Sequence, residues 1–346
     1  MTWAHKALLE LLERAGVAEA ELEGRWPLHA DPGSGRWTTT ARGSWTGGFW
    51  AGLLWLRATV SGDPADRATA IGRTALLGSW IEADTATRGL ILWYGTAFGV
   101  AQGDAAAAVL RERAARACLD AYDPGLGLVP WGGAFGGPRE VARVDGLPGL
   151  LQLLRVSGPA GVTAARTQLD LHLGLTTGER ELRPAWRALP DGTWVNHSDP
   201  APGWSRTAAW LSLAVADAWS GDDEAGRQRR TLLAHPQVAA RFAAGSPTVP
   251  PARPGGPPDT SAAAIEAVAA LKLAAPAAGD EAAWLRDRAA AVLRELVTEH
   301  LRDGRLLDGC YDVEHDVATR HELVWGDFFL AVGLAILTGV IDPFAC

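Results

Sequence analysis

The chain has 346 residues and a mass of 36.5 kDa, with 48% hydrophobic and 21% charged residues. Such a chain can bury a large core, which excludes a disordered tail and a small stapled scaffold. A net charge of −8, a pI near 5.5 and the lack of any Lys/Arg run exclude a phosphate-neutralising surface, so no nucleic-acid partner is expected.

From the amino end, MTWAHKALLELLERAG has Leu at helical spacing interrupted by Glu and Arg, unlike an export signal, and a cytoplasmic protein is expected. No stretch of about 18 uncharged apolar residues follows, so no membrane partner is expected. Ala and Leu then recur every three or four residues along most of the chain, and alternation of the strand type is scarce, so no sheet is expected. The helical runs break at a repeated joint of Gly then Asp: Gly62-Asp63, Gly103-Asp104, Gly221-Asp222 and Gly279-Asp280, with a degenerate copy at Gly158-Pro159. Gly closes one helix in the left-handed conformation, and Asp accepts backbone N–H bonds at the start of the next.

About twelve helical stretches, paired across such joints, predict six αα-hairpins. Longer segments rich in Pro, Gly and Trp separate the hairpins, among them RWPLHADPGSGRW (25–37), LVPWGGAFGGPRE (128–140) and SPTVPPARPGGPPD (246–259). The expectation is an all-α chain forming one (α/α)6 toroid over residues 1–346, with short joints on one face and a cleft built by long loops on the other. An open solenoid is weaker, because the spacing is irregular and no capping repeats are visible.

Sixteen Trp against seven Phe and three Tyr point to sugar, since an indole face stacks on the C–H surface of a pyranose, although Trp also packs cores. Cys118, Cys310 and Cys346 have neither disulfide-framework nor zinc-ribbon spacing and read as reduced thiols. Cys310, Glu314, His315 and Asp316 lack the His pair of a zinc helix and read as solvated loop. No metal and no cofactor are expected.

Five segments in order, GSWTGGFWAGLLWL (43–56), DTATRGLILWYG (84–95), VDGLPGLLQLL (144–154), GWSRTAAWLSL (203–213) and DTSAAAIEAVAALKL (259–273), with VWGDFFLAVGL (324–334) as a sixth, resemble the unsaturated glucuronyl hydrolases. These (α/α)6 enzymes remove a 4,5-unsaturated uronic acid from oligosaccharides left by polysaccharide lyases. The resemblance implies a saccharide or sugar-derived substrate and a reaction in which one Asp protonates C4 of the vinyl ether and then helps water add at C5. Its place in VDGLPGLLQLL makes Asp145 that residue. Such an acid must hold its proton near neutral pH, which takes a dry aromatic site or a nearby negative group. On the residues alone, Asp145 also reads as a helix N-cap paired with Arg143.

The resemblance further implies that Trp45 and Trp131 wall the sugar and that His172, in QLDLHLGLTT, lies near the catalytic Asp. Arg206 and Trp210, four apart in WSRTAAW, are expected to converge on the sugar. In PDGTWVNHSDP (190–200) the family's His falls at Asn196, with His197 one step late. The family's second carboxylate lies in Thr-His-Asp-Leu-Gly-Phe, and an ungapped match to Thr87-Arg88-Gly89-Leu90 sets Gly89 in its place. That register leaves a cationic pocket through Arg88, which could also pair with Asp84, and implies that restoring Asp at Gly89 raises activity. Asp259 reads as an N-cap. Alternatives are a hydratase repurposed for a small sugar-derived intermediate and a non-catalytic carbohydrate-binding toroid. A two-carboxylate inverting glycosidase is weaker, its partner position being Gly89. Terpene cyclase chemistry is discounted because Asp222-Asp223-Glu224 is no DDxxD run.

Overall fold

The computed structural model describes residues 2–219, 221–243 and 245–346. Helices whose residues are small or apolar on every side can only be buried on every side, and six of them form an inner ring. These are α2 (Gly47–Ser61), α4 (Tyr94–Ala101, entered through a π-turn at Gly89–Trp93), α6 (Leu150–Val156), α8 (Arg206–Asp217), α11 (Thr260–Ala274) and α13 (Val324–Leu337). All twelve residues of α8 and all fifteen of α11 are buried.

Helices with one apolar stripe lie outside: α1 (Trp3–Glu21), α3 (Pro64–Leu76), α5 (Ala105–Asp120), α7 (Pro159–Thr177), α9 (Asp223–Ala234) with α10 (Pro236–Phe242), and α12 (Gly279–Glu295). Of the thirteen residues of α3, only Ala70, Arg73 and Thr74 are buried. α2 packs on α4, the π-turn Gly89–Trp93 ahead of α4 packs on α6, and the ring continues through α8 and α11 to α13, which returns to α2. The ring is closed, as the pairing of joints and loops implied. The count among the described residues is thirteen helices rather than about twelve, because Pro236 cannot continue α9 and His235 caps a separate helix.

Three joints have the expected form. Gly62, Gly103 and Gly221 have φ of 66°, 74° and 77°. Asp63, Asp104 and Asp222 accept from the amides of Ala65, Ala107 and Ala225 at 2.8, 2.7 and 2.9 Å. The fourth differs: Gly279 and Asp280 are already inside α12, whose N-cap is Ala278 with no side-chain bond. At the degenerate joint Gly158 caps and Pro159 opens α7.

The expectation of no sheet is corrected. Among the described residues eight short strands, β1 (Trp26–Ala30), β2 (Trp37–Thr40), β3 (Val141–Arg143), β4 (Ala185–Ala188), β5 (Trp194–Asn196), β6 (Leu301–Arg302), β7 (Arg305–Leu306) and β8 (Glu322–Leu323), pair as β2-β1-β8, β3-β4-β5 and β6-β7. At two to five residues they are too short for alternation to stand out. All lie in connections that run from an outer helix to the next inner one, and so gather at the N-terminal ends of the inner ring. Among the described residues no helix is long and apolar enough to cross a membrane.

Candidate active site

The long loops enclose a hollow of about 610 Å³ at that end of the ring. A shallower groove of about 950 Å³ on the outer side, between α1 and the β6-β7 hairpin, brings no comparable set of groups together.

Asp145 lies in the hollow's wall. Strand β3 is held against β4 by Val141, Ala142 and Arg143 and runs into a single 3-10 turn, Val144–Gly146, that carries Asp145 in its middle. The carboxylate does not cap α6, whose N-cap is Gly149 with no side-chain bond. Its partner is Arg143, which donates from Nε to Oδ1 at 3.0 Å and from Nη2 to Oδ2 at 2.8 Å. The Asp145 side chain is 14% exposed. The Arg143 guanidinium lies 4.1 Å above the Trp131 ring, and its Nη1 reaches Asp199 at 3.4 Å. Of the two readings of Asp145 as a structural residue, the pairing with Arg143 is present and the N-cap is not.

Trp45, Trp131, Trp204 and Trp210 line the hollow. Trp45 stacks with Tyr311 at 6.3 Å and an interplanar angle of 11°, and Trp210 packs on Phe49 and Phe329. Arg206 also lines the hollow, yet its charge is spent on the frame. It donates to Asp259 Oδ2 at 2.7 Å, to the Tyr311 carbonyl at 2.9 Å and to the Cys310 carbonyl. Its guanidinium lies over Trp204 at 4.7 Å and Trp325 at 5.7 Å, so it is these rings it converges with, not Trp210. Asp259 is the N-cap expected, accepting from Ser261 N at 3.2 Å, and is in addition fully buried by its pairing with Arg206.

His172 is buried on α7, where its Nδ1 bonds the Gln168 carbonyl at 2.8 Å. Burial drives its pKa from 6.5 down to about 4, against smaller opposing effects of the Gln168 bond and of Asp145. The imidazole near Asp145 is therefore neutral at pH 7. Asn196 is exposed on β5 opposite Trp186 and is not among the hollow's lining, nor is His197, whose Nδ1 is engaged with Asp199 in a turn. In this stretch it is Ser198 to Pro202 that line the hollow.

Of the residues read as solvated loop, Glu314, His315 and Asp316 are exposed and Cys310 is buried, and the segment also forms part of the hollow's wall. Cys310 is buried, Tyr311 and Asp312 line the hollow, Glu314 pairs with Arg253 at 3.1 Å and His315 with Asp312 at 2.8 Å. A hint lay in the Asp-Val-Glu-His run, since Asp312 turns the chain by accepting from the amides of Glu314 and His315. Burial pushes the thiols of Cys118, Cys310 and Cys346 up to about 11, 12 and 11, and all three are free. Among the described residues no group of three or more His, Cys, Asp or Glu could hold a metal ion.

No protein-family model matches the chain, and no curated protein matches it. Solved structures do. The unsaturated glucuronyl hydrolase of Bacillus sp. GL1, described as responsible for the degradation of glycosaminoglycan, superposes with a TM-score of 0.84 over 97% of both chains at 20% identity. One specific for heparin gives 0.85 over 98% of both at 19% identity, and one from Streptococcus agalactiae gives 0.84 over 99% of this chain and 94% of that one at 17%. The chain has the fold of the unsaturated glucuronyl hydrolases.

Against that fold, the register that set Gly89 in place of the second carboxylate is corrected. A Cβ on Gly89 would lie 2.1 Å from the Leu150 amide nitrogen and 2.7 Å from the Pro148 carbonyl oxygen, pointing into the backbone before α6. From this stretch Thr87 and Leu90 line the hollow; Thr87 is buried, with its hydroxyl 2.9 Å from that of Thr85. Read against Thr85–Leu90, the unsaturated glucuronyl hydrolase stretch Thr-His-Asp-Leu-Gly-Phe keeps its Thr at Thr85 and its Gly at Gly89 and sets Thr87 under Asp.

Arg88 does not make the pocket cationic. It is buried away from the hollow and donates to the carbonyls of Thr85, Ile81 and Ala117. Asp84, rather than pairing with Arg88, accepts from Gly133 N and meets Arg139. Arg143, Arg206 and Arg253 each already face a carboxylate of the chain.

Gly89→Ala is expected to cost at least about 1–3 kcal/mol of stability, the ordinary price of overpacking, read from the denaturant midpoint. Gly89→Asp should be no better and should gain no activity, whereas Thr87→Asp should fold normally. A stable Gly89→Asp protein would contradict this placement.

His172 also makes stability depend on pH. With its folded value at about 4 and its unfolded value near 6.5, only the unfolded chain takes up this proton between those pH values, so stability falls as pH drops through that window. His172→Gln should shrink the difference in unfolding free energy between pH 7 and pH 5. An unchanged difference would show that His172 is not the group responsible.

Proposed function

We propose that the chain is a divergent member of the unsaturated glucuronyl hydrolases, an enzyme that hydrates the C4=C5 vinyl ether of an unsaturated uronide and so releases the attached group. The observation that carries this is the position of Asp145: a carboxyl group not used for capping, in the wall of a Trp-lined hollow, at the end of the ring where the loops gather. An α-helical ring places the N-terminal ends of six helices around one depression, and a short strand and turn deliver Asp145 to its edge, where Asp199, Asp312 and Glu314 are the other carboxylates.

In this reading the protonated Asp145 gives its proton to C4, and the positive charge that develops at C5 is shared with the ring oxygen. The resulting carboxylate takes a proton from water as that water bonds to C5. The hemiketal opens to a ketone at C5, leaving a hemiacetal at C1 that expels the attached group as an alcohol. One water is consumed and the protein is returned unchanged. General acid and base are the same residue, so the reaction needs no second carboxylate across the cleft, in keeping with Thr87 at the position discussed above. Half-buried Trp45 and Trp204 supply stacking surface for sugar rings, while Trp131, beneath Arg143, and the fully buried Trp210 back the hollow and keep the alkene dry.

A second reading, a hydratase acting by the same chemistry on a smaller sugar-derived molecule, is favoured by Thr87. A hydroxyl already engaged with Thr85 grips sugar hydroxyls less strongly than a carboxylate would.

Asp145→Asn is expected to lower turnover of an unsaturated disaccharide by about 10²-fold to 10⁴-fold while leaving its binding within a few-fold. Loss of the conjugated double bond's absorbance reads turnover, and calorimetry reads binding. Undiminished turnover would remove Asp145 from the mechanism.

A further inference from the structure

Arg143 holds Asp145 by two donors, an arrangement complementary to a carboxylate. Donation of a proton requires that at least one of these bonds be given up. Something in the catalytic cycle must therefore compete for Arg143, and the proposed substrate carries a suitable group, the carboxylate on C5.

We propose that Arg143 is the receptor for the substrate's own carboxylate, and that by sharing its positive charge with that group, taken on the Nη1/Nη2 edge, it loosens its hold on Asp145 so that this residue can serve as the acid. The inference rests on the reaction proposed above. Three observations support it. First, the guanidinium is held by its face, 4.1 Å over Trp131, which leaves its donor edges directed sideways. Second, its outer donor Nη1 is engaged only by Asp199, at 3.4 Å through a side chain that is 79% exposed, so this partner is easily replaced. Third, Arg206 is committed to the buried Asp259 and to two backbone carbonyls, and Arg253 lies half-exposed at the rim beside Glu314, away from Asp145.

The covalent geometry of the substrate agrees with this placement. Its carboxyl carbon and C4 are both bonded to C5. A carboxylate seated on the Nη1/Nη2 edge therefore carries C4 towards the residue that occupies the adjoining Nε/Nη2 edge, which is Asp145. The Nη2 hydrogen on that edge is not the one that meets Asp145 Oδ2, so binding acts by dividing the guanidinium's charge between two carboxylates and by setting a second negative charge beside Asp145, and both changes favour the form of Asp145 that carries a proton. The carboxylate is then the feature that arms the acid, and Arg143 is a binding and positioning residue.

The test compares an unsaturated disaccharide with its methyl ester, which lacks the charge, on the native enzyme and on Arg143→Gln and Arg143→Lys. The native enzyme is expected to prefer the acid by about 10²-fold in kcat/KM, with kcat as well as KM affected, since losing one partner of a charged hydrogen-bonded pair commonly costs that much. Arg143→Gln should bring the acid-to-ester ratio within a few-fold of one, chiefly by slowing the acid. Arg143→Lys should recover part of the preference. A ratio that stays at the native value in Arg143→Gln overturns the proposal.

Calorimetry with the saturated disaccharide and its methyl ester separates this inference from the reaction it rests on. Native protein should bind the acid at least about 10-fold more tightly and Arg143→Gln should not, whether or not anything is turned over. Equal binding of acid and ester by native protein overturns the proposal, while an intact binding preference with no turnover of any unsaturated disaccharide overturns only the reaction.

Discussion

A guanidinium lying flat on an indole, with a carboxylate clamped along one of its edges, is the contact on which the site's chemistry turns. Arg143, Trp131 and Asp145 come from one stretch of chain between α5 and α6, and β4 holds that stretch in place from behind. The stacking orients the guanidinium, and the guanidinium orients the Asp145 carboxylate. Because the pair is largely shielded from water, whether Asp145 keeps or loses its partner matters far more than it would on an open surface.

A second ion pair does a different job. Arg206 and Asp259 sit at the starts of neighbouring inner helices, and the same guanidinium gathers the carbonyls of residues 310 and 311. Removing one member of such a buried pair typically costs about 3–5 kcal/mol, because the other is left charged and unpaired. This strut fixes the loop that carries Tyr311 and Asp312 over the hollow, so the shape of the cleft depends on an Arg that has little left to offer a ligand. It also explains why an Arg and a Trp four residues apart need not act on the same molecule: Arg206 is turned towards α11 and α13, and Trp210 towards Phe49 and Phe329.

Much of this architecture was legible in the residues. Gly followed by Asp marks a helix end because each residue type satisfies a different backbone requirement, and three of the four full joints behave so. At the fourth, Gly279-Asp280, two good helix-start residues were absorbed into α12 instead. The placement of Asp145 and of Trp45, Trp131 and Trp210 on one hollow followed from ordered motifs. The error at Gly89 came from matching one Thr where two lie two residues apart. Only the close approach of Gly89 to the backbone at Leu150 settles which Thr faces inwards. Arg88 and Asn196 were misjudged because the direction of a side chain at the end of a loop depends on turns that no periodicity reveals. That the solvated loop of Glu314 to Asp316 also walls the hollow, and that Cys310 beside it is buried, depends on contacts with Arg206 and Arg253 that reach across more than fifty residues.

The central claim is that a proton goes to carbon rather than to a glycosidic oxygen. Running the reaction in deuterium oxide and examining the product's C4 by NMR during the first turnovers tests it most directly. The expected result is one deuterium at C4 per molecule, on a single face of the carbon. Release of the attached group with no deuterium at C4 would contradict the account and point to ordinary hydrolysis at C1.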